Sequence, residues 1–550
     1  MASQRKRVYS EIIFIILFLL QFIILIGTYL HARTPLMWIW SVASFIPATV
    51  VCLSSNEKKH VLASLVVLFI TQQAIFIFAN ATWGFDYGSD QINDFHTAQA
   101  MSERSHFELG QLGYASRLSY SYYPMLHLFS VMTSDVTGLP LIYVALYFPQ
   151  ILNAILVTFL LYYLNHDLFG LEGRERNIST LFFEMSFVYT SFDSQFVRET
   201  FAFPLALFSL WIAARIATTH GGSRNYAIIA VISFAAVVLS HQFSSFLLLV
   251  ILAVMTLSFK IFYRNSRLIL PLLLMATILG AYTVFVTPTF TATELTYAYE
   301  GLQAIFHRVS SVTIMRPYES WRLDLALIQY AIICVLVAMG GLKLLRQQRK
   351  NWVVVTLMSF FVLSFLLCIA LRLSTPADPW SFTYYMSLRG TIWAFIGISV
   401  LAALGIKYIV RLNTRVSAKI YFAVLLTVVV LAAGKFSQYD RLVSDSTVTP
   451  NVTYPRYTAS IWLRNETTHG SLLLVAPDRP DVESFDGSGC MAPYAYLKEY
   501  FLDESKGRVY NNFYGYIPFI GGFFDQYKNA SNVQIIYSNG NVEVGYKEQT

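Results

Sequence analysis

WGFDYGSDQINDFHTAQAMSERS, residues 83–105, lies between hydrophobic segments too apolar to be anything but membrane spans. It holds Asp86, Asp90 and Asp94, with His96 just behind. We read it as the acidic rim of a site facing the outside of a membrane. Ionisable groups at a membrane edge are functional candidates by default, because their burial is costly. The rest of the chain is read as what places this rim, faces it and feeds it.

Composition supports the membrane reading. The 550 residues are 56% hydrophobic and 13% charged, with mean hydropathy +0.52. A soluble domain carries about a quarter charged residues, so a soluble class is excluded. The 16% aromatic share suits a chain with much surface at membrane interfaces. The net charge of +7 comes mostly from loops on one side. Cys52, Cys334 and Cys368 lie in or at apolar spans, which leaves Cys490 in a water-soluble region. One cysteine makes no internal disulfide framework. The apolar run after Arg5-Lys6-Arg7 is long and has no small-residue cleavage site, so it reads as a first span and not a cleaved signal.

A span needs ~20 mostly apolar residues to cross ~30 Å of hydrocarbon. Thirteen segments qualify: 10–30, 36–53, 60–79, 140–164, 177–193, 200–217, 226–240, 243–262, 267–287, 323–342, 351–371, 389–407 and 418–436. Lys and Arg near span ends mark the cytoplasmic side, and Arg5-Lys6-Arg7 puts the N-terminus there. Counting onward, the loops with Lys58-Lys59, Arg174/Arg176, Arg224, Lys260/Arg264/Arg267, Lys343/Arg346/Arg349/Lys350 and Lys407/Arg411/Arg415/Lys419 all fall inside. That agreement supports the count.

Residues 80–123 are then a long acidic first outer loop, in which 90–105 predicts an interfacial helix with Ile92, Phe95 and Met101 toward apolar surroundings. Residues 124–137 reach only ~21 Å as a helix, so they read as a re-entrant or interfacial helix with Pro124 in its first turn. Residues 1–436 form the membrane domain and 437–550 an extracytoplasmic one. Apolar runs at Ser471–Ala476, Val533–Ser538 and Val542–Tyr546 predict strands, and Tyr457–Asn465 a short helix. Sequons at Asn451, Asn465 and Asn529 suit an outer location but are weak evidence. The expected fold class is an all-α polytopic membrane protein, about 13 transmembrane helices, with a small α/β C-terminal extracytoplasmic domain. Its expected place is the plasma membrane.

The basic residues of the outer loops between spans are Arg33, Arg104, Arg117, Arg198, Arg308, Arg316, Arg322, Arg372 and Arg389, with no lysine. Arginine clamps a phosphate or carboxylate bidentately, which a lysine does not. Arg198, Arg322, Arg372 and Arg389 also lie at span ends, where lipid headgroups sit. Recognition of an anionic lipid phosphate is one reading; pairing with nearby carboxylates or snorkelling to headgroups is the other. The facing acids are Asp86, Asp90, Asp94, Glu199 and Asp324. Asp86, between Gly84 and Gly88, sits on an adaptable loop suited to a base or a metal ligand. Asp90 opens a helix, as site residue or as N-cap. Asp94 and His96 point to different helix faces, so at most one easily joins Asp86. An oxygen-rich set with one His suits Mg²⁺ or Mn²⁺, though Asp86 and Asp90 alone are too few to prove a metal.

Arg198 and Glu199 are adjacent on a helix and need separate partners. His241, in LSHQFSSF, is a phosphate donor, a proton shuttle or a polar turn between spans. Glu184, inside a span, must pair or be protonated, and a structural hydrogen bond between helices fits it best.

DYGSDQINDFHTAQAM at 86–101, YYPMLHLFSVMTSDVTGLP at 122–140 and QFVRETFAFPLALFSLW at 195–211 carry a family resemblance. Together with the odd span count, they make the chain resemble the GT-C superfamily of membrane glycosyltransferases, most of all its prokaryotic, largely archaeal members. The resemblance implies a polyprenyl-phosphate-linked sugar as donor. It places the catalytic or metal-binding aspartate at Asp86, with Asp90 as the alternate. Arg198, Arg316, Arg322, Arg372 and Arg389, with Asp94, His96, Glu199 and His241, are then substrate-binding candidates. The Trp-Trp-Asp motif of oligosaccharyltransferases is absent from the outer domain, and the acids are not the Asp-Glu pair of protein O-mannosyltransferases. The acceptor, protein or glycan, therefore stays open. Membrane lipids are expected partners and nucleic acid is not. The competing readings are a non-enzymatic transporter or flippase of lipid-linked sugars, and a glycan polymerase or ligase.

Overall fold

The computed structural model describes residues 2–30, 36–55, 57–79, 89–104, 122–218, 223–288, 320–347, 352–374, 382–410 and 418–444, and five strands within 472–548. The chain divides into two compact units. The first comprises Met1–Phe76, Pro149–Ser194 and Arg198–Arg441. The second gathers Ile77–Phe148, Gln195–Val197 and Leu442–Thr550. The second unit collects the first outer loop together with the start of the expected span 140–164, a short stub before the span 200–217, and the tail.

The first unit is helical. It is built from α1 (Ala2–Leu30), α2 (Leu36–Ser54), α3 (Lys58–Ala79), α6 (Leu141–Asp167), α7 (Gly173–Phe183), α8 (Phe187–Asp193), α9 (Arg198–Thr218), α10 (Ser223–Ser240), α11 (Gln242–Tyr263), α12 (Ile269–Ala281, continued by a π turn Tyr282–Val286), α13 (Ser320–Gln347), α14 (Trp352–Ser374), α15 (Phe382–Val410) and α16 (Ala418–Ser444). Among the described residues nine helices are long and apolar enough to span a membrane, with Arg224–Ser240 and Tyr421–Ser437 as shorter apolar helices. The protein is a multi-pass membrane protein.

One expected span takes another form. Residues 177–193 are not a continuous helix: the chain breaks at Glu184–Met185–Ser186, between α7 and α8. Ser186 caps α8 by accepting from the Tyr189 backbone N–H. A break inside an apolar bundle frees carbonyls that must find donors. Lys435 Nζ donates to the Glu184 carbonyl at 2.6 Å, and Gln329 Nε2 to the Met185 carbonyl at 3.2 Å. The same ammonium reaches Glu184 Oε1 at 3.2 Å and Gln72 Oε1 at 3.0 Å. Thr190 Oγ1 donates to Glu184 Oε1 at 2.8 Å. Glu184 thus pairs between helices, as expected, with an ammonium the sequence reading did not single out.

α15 is the most buried of the nine described spans. It is seated by small residues. A Cβ at Gly340 would lie 1.9 Å from the Leu401 carbonyl oxygen, and one at Gly405 would lie 2.0 Å from that of Leu336. α13 and α15 therefore touch backbone to backbone, the close approach that membrane helices use when no hydrophobic force draws them together. At the end expected inside, Glu175 in the first turn of α7 pairs with Lys407 of α15 and Lys343 of α13.

The second unit contains α4 (Ser89–Arg104), α5 (Met125–Thr137) and a five-stranded sheet. Its strands are β1 (Leu472–Val475), β2 (Lys498–Phe501), β3 (Asn512–Pro518), β4 (Val533–Ser538) and β5 (Val542–Glu548), in the order β2-β1-β3-β5-β4. β1 runs parallel to β2 and β3, while β5 is antiparallel to β3 and β4. Three strands match the expected apolar runs; β2 and β3, rich in charge, Tyr and Gly, were not foreseen. The expected helix Tyr457–Asn465 and the three sequons lie outside the described residues.

α4 and α5 have the expected lengths. α5 spans 13 residues, starts after Pro124 and ends at Gly138, whose φ of 70° is the left-handed cap that glycine takes without strain. Leu126, His127 and Ser130 form its buried side, while Val136 is 85% exposed. On α4, Phe95 and Met101 are buried as expected; the side chain of Ile92 lies outside the described residues. Ala100 and Met101 pack on Leu128 and Val131 of α5.

Candidate functional site

Three helices of the first unit present charged groups to one another. Glu199 lies in the first turn of α9, where the unpaired N–H groups and the helix dipole favour a carboxylate. Arg389 lies in the early turns of α15, and its guanidinium Nε forms an ion pair with Glu199 Oε1. His241 is the N-cap of α11, with its Nδ1 accepting from the Ser244 backbone N–H at 3.2 Å. An Nδ1 used as acceptor leaves the ring proton on Nε2, and Nε2 faces Glu199 Oε1 at 3.3 Å. The helix cap thus sets the tautomer that points a donor at the carboxylate. His241 stands at the polar turn that was one of its sequence readings, and it also faces Glu199, a partner none of those readings named.

Beside this cluster is a cavity of about 20 Å³, room for a water molecule or two. Glu199, Arg389 and Asp193 line it, with Tyr189, Phe203 and Trp393 as an aromatic wall. The wall is tightly stacked: ring centroids are 5.7 Å apart for Tyr189–Phe203 and 5.4 Å for Phe203–Trp393. Asp193, the last residue of α8, is buried. Its Oδ2 accepts from the Tyr189 hydroxyl at 2.9 Å and from Gln73 Nε2. Its Oδ1 has no partner among the described residues.

The second unit holds another carboxylate–imidazole pair. Asp94 of α4 and His127 of α5 are both fully buried, and His127 Nε2 donates to Asp94 Oδ1 at 2.8 Å. One turn earlier on α4, Gln91 Oε1 accepts from the backbone N–H of Phe196 at 3.4 Å.

Among the expected site residues, the structure brings together Glu199, His241 and Arg389. Arg198 does not line the cavity, as its angular separation from Glu199 requires. Asp86 and Arg316 lie outside the described residues, as do the side chains of Asp90, His96, Arg322 and Arg372. Three relevant residues were not singled out. Asp193 carried a signal, an acid closing an apolar segment six positions before Glu199. Lys435, in LAAGKFS, is a charge one residue before the end of the expected last span. His127 stands on the buried side of a short helix, which periodicity reveals but whose partner it does not.

Among the described residues no group of three His, Cys, Asp or Glu side chains could hold a metal ion. Asp94 is taken by His127 and Glu199 by Arg389 and His241. The described donors therefore do not fit the expected Mg²⁺ or Mn²⁺; Asp86 and the carboxylate of Asp90 lie outside them.

No family model matches the chain, and no curated protein sequence matches it. Solved structures do. The archaeal oligosaccharyltransferase AglB from Archaeoglobus fulgidus, in complex with an inhibitory peptide and a dolichol-phosphate, is 13% identical over 81% of this chain and 65% of its own, with TM-score 0.48. The arabinofuranosyltransferase AftD from Mycobacteria is 15% identical over 77% of this chain and 31% of its own, with TM-score 0.43. ArnT from Cupriavidus metallidurans, in the apo state, is 11% identical over 88% of this chain and 97% of its own, with TM-score 0.49.

Proposed function

We propose that this protein is a membrane glycosyltransferase that moves a sugar from a polyprenyl-phosphate donor to an acceptor on the outer face of the plasma membrane. The N-terminus is cytoplasmic in this reading, and the sheet domain, of small α/β type, is extracytoplasmic. The observation that carries it is the cluster of Glu199, His241 and Arg389 on three helices, beside a cavity that Asp193 also lines.

The chemistry follows from charge. An acceptor O–H or N–H attacks the anomeric carbon of the sugar. Its proton passes to an aspartate, Asp86 by the family resemblance, with Asp90 as alternate. The bond from the anomeric carbon to the phosphate oxygen breaks, and the polyprenyl phosphate leaves with both electrons. Arg389 and the other outer arginines, Arg198, Arg316, Arg322 and Arg372, hold the phosphate and stabilise its growing charge. Glu199 and His241 keep the Arg389 guanidinium in place until the phosphate arrives.

Undecaprenyl phosphate and undecaprenyl-phosphate-linked hexoses, tritiated in the sugar, are the probes, with the full chain in lipid nanodiscs. Asp86→Asn is expected to abolish sugar release and leave binding of undecaprenyl phosphate within threefold. An Asp86→Asn protein that releases sugar at the parent rate overturns the assignment. Movement of the intact glycolipid across the membrane with no release supports the flippase reading instead.

A further inference from the structure

We infer that His127 is a positioning residue: through its bond to Asp94 it fixes α4, and with it the Asp90 position on that helix, in register on α5. The inference rests on the proposed function only in treating Asp90 as part of the acidic rim.

Neither group can serve a substrate directly as it stands. Asp94 is 1% exposed and His127 0%, and they are joined at 2.8 Å. Asp90 lies four residues before Asp94, one helical turn along α4. α4 and α5 also meet through apolar side chains: Ala100 and Met101 pack against Leu128 and Val131. Such contacts are non-directional and allow α4 to rotate or slip on α5. A short, directed bond between two buried polar groups does not. Buried polar pairs have their best-attested role in fixing register. Gln91, bonded to the backbone of Phe196, supplies a second directed contact on the same helix. The N-terminal half of α4 thus carries directed hydrogen bonds, and its C-terminal half packs through apolar side chains.

Amide exchange read by mass spectrometry on the full chain in nanodiscs tests this, with residues 198–218 as internal reference. Asp94→Leu or His127→Leu is expected to speed exchange over 89–104 at least tenfold. The double variant exchanges no faster than the faster single one, because both remove the same bond. Asp94→Asn, whose Oδ1 still accepts from Nε2–H, stays within threefold. Singles that change nothing, effects that multiply in the double variant, or equal acceleration over 198–218 overturn the inference.

Sugar release supplies the functional arm. Asp94→Leu lowers kcat at least tenfold with KM for the glycolipid within twofold, and Asp94→Asn restores most of it. A rise in KM shared equally by Asn and Leu marks Asp94 as a substrate contact and overturns the inference. Failure of the parent chain to bind undecaprenyl phosphate defeats the donor reading, while the exchange cycle still decides the role of His127.

Discussion

The two carboxylate–imidazole pairs are made of the same chemistry and placed in opposite settings. Asp94–His127 is sealed, with each group using the other as its directed partner at 2.8 Å. Glu199–His241 is looser at 3.3 Å, shares its carboxylate with Arg389 and borders a cavity. A buried pair with no space beside it is suited to holding helices together. A pair beside space, with a guanidinium in attendance, can release that guanidinium to an incoming anion. Glu184–Lys435 is a third case, as sealed as the first but placed at the helix break of the first unit, where it also satisfies a freed carbonyl.

The comparison is broken most severely at the sealed end. Lys435→Met leaves Glu184 buried without its cation, and such one-sided removal costs about 3–5 kcal/mol. The thermal midpoint in nanodiscs should fall accordingly. Adding Glu184→Gln should recover much of the loss, since replacing both members of a buried pair is often close to neutral. A single variant as stable as the parent shows that the break does not need the ammonium.

Next in size is the seat of Arg389. Gly405→Ala places a Cβ about where the Leu336 carbonyl stands, at 2.0 Å, so α13 and α15 must part. Overpacking of this kind costs ~1–3 kcal/mol. Because α15 carries Arg389, undecaprenyl phosphate binding should weaken along with the thermal midpoint. Exchange over 89–104 should stay unchanged if the sealed pair acts locally.

What could be read from the sequence follows the range over which each feature is specified. Apolar runs are local, so α1, α6 or α14 announce themselves by length and hydropathy alone. The break between α7 and α8 does not, because the donors that make it tolerable, Lys435 and Gln329, lie 251 and 144 residues away. A hydropathy window sees only a continuous apolar segment there. Arg389 and Glu199 were legible as types, since intramembrane-edge charges demand partners, and each is the partner the other needed. His127 was not, because helical periodicity gives the face of α5 and not what lies across from it. The strands β2 and β3 gave no apolar alternation, as sheet pairing supplies what their own residues lack.

The cavity side of the comparison is sharpened by Glu199→Gln. The carboxylate competes with a phosphate for the Arg389 guanidinium, and a neutral amide competes less. Binding of undecaprenyl phosphate should tighten about tenfold, ~1.4 kcal/mol. Sugar release should slow, because the guanidinium is no longer held for the transition state. Weaker binding of undecaprenyl phosphate places Glu199 among the groups that directly support the ligand.

The smallest expected effect separates the two roles of His241. Its Nδ1 caps α11 and its Nε2 faces Glu199. Asn is among the best N-cap residues, so His241→Asn keeps the cap and deletes only the reach to Glu199. The thermal midpoint should then hold, and undecaprenyl phosphate binding should change by no more than a few fold, within ~1 kcal/mol. His241→Ala loses the cap as well and should cost a further ~1 kcal/mol in stability. If Asn and Ala behave alike in both measurements, the cap contributes nothing, and the orientation of the imidazole comes from its packing between α9 and α11.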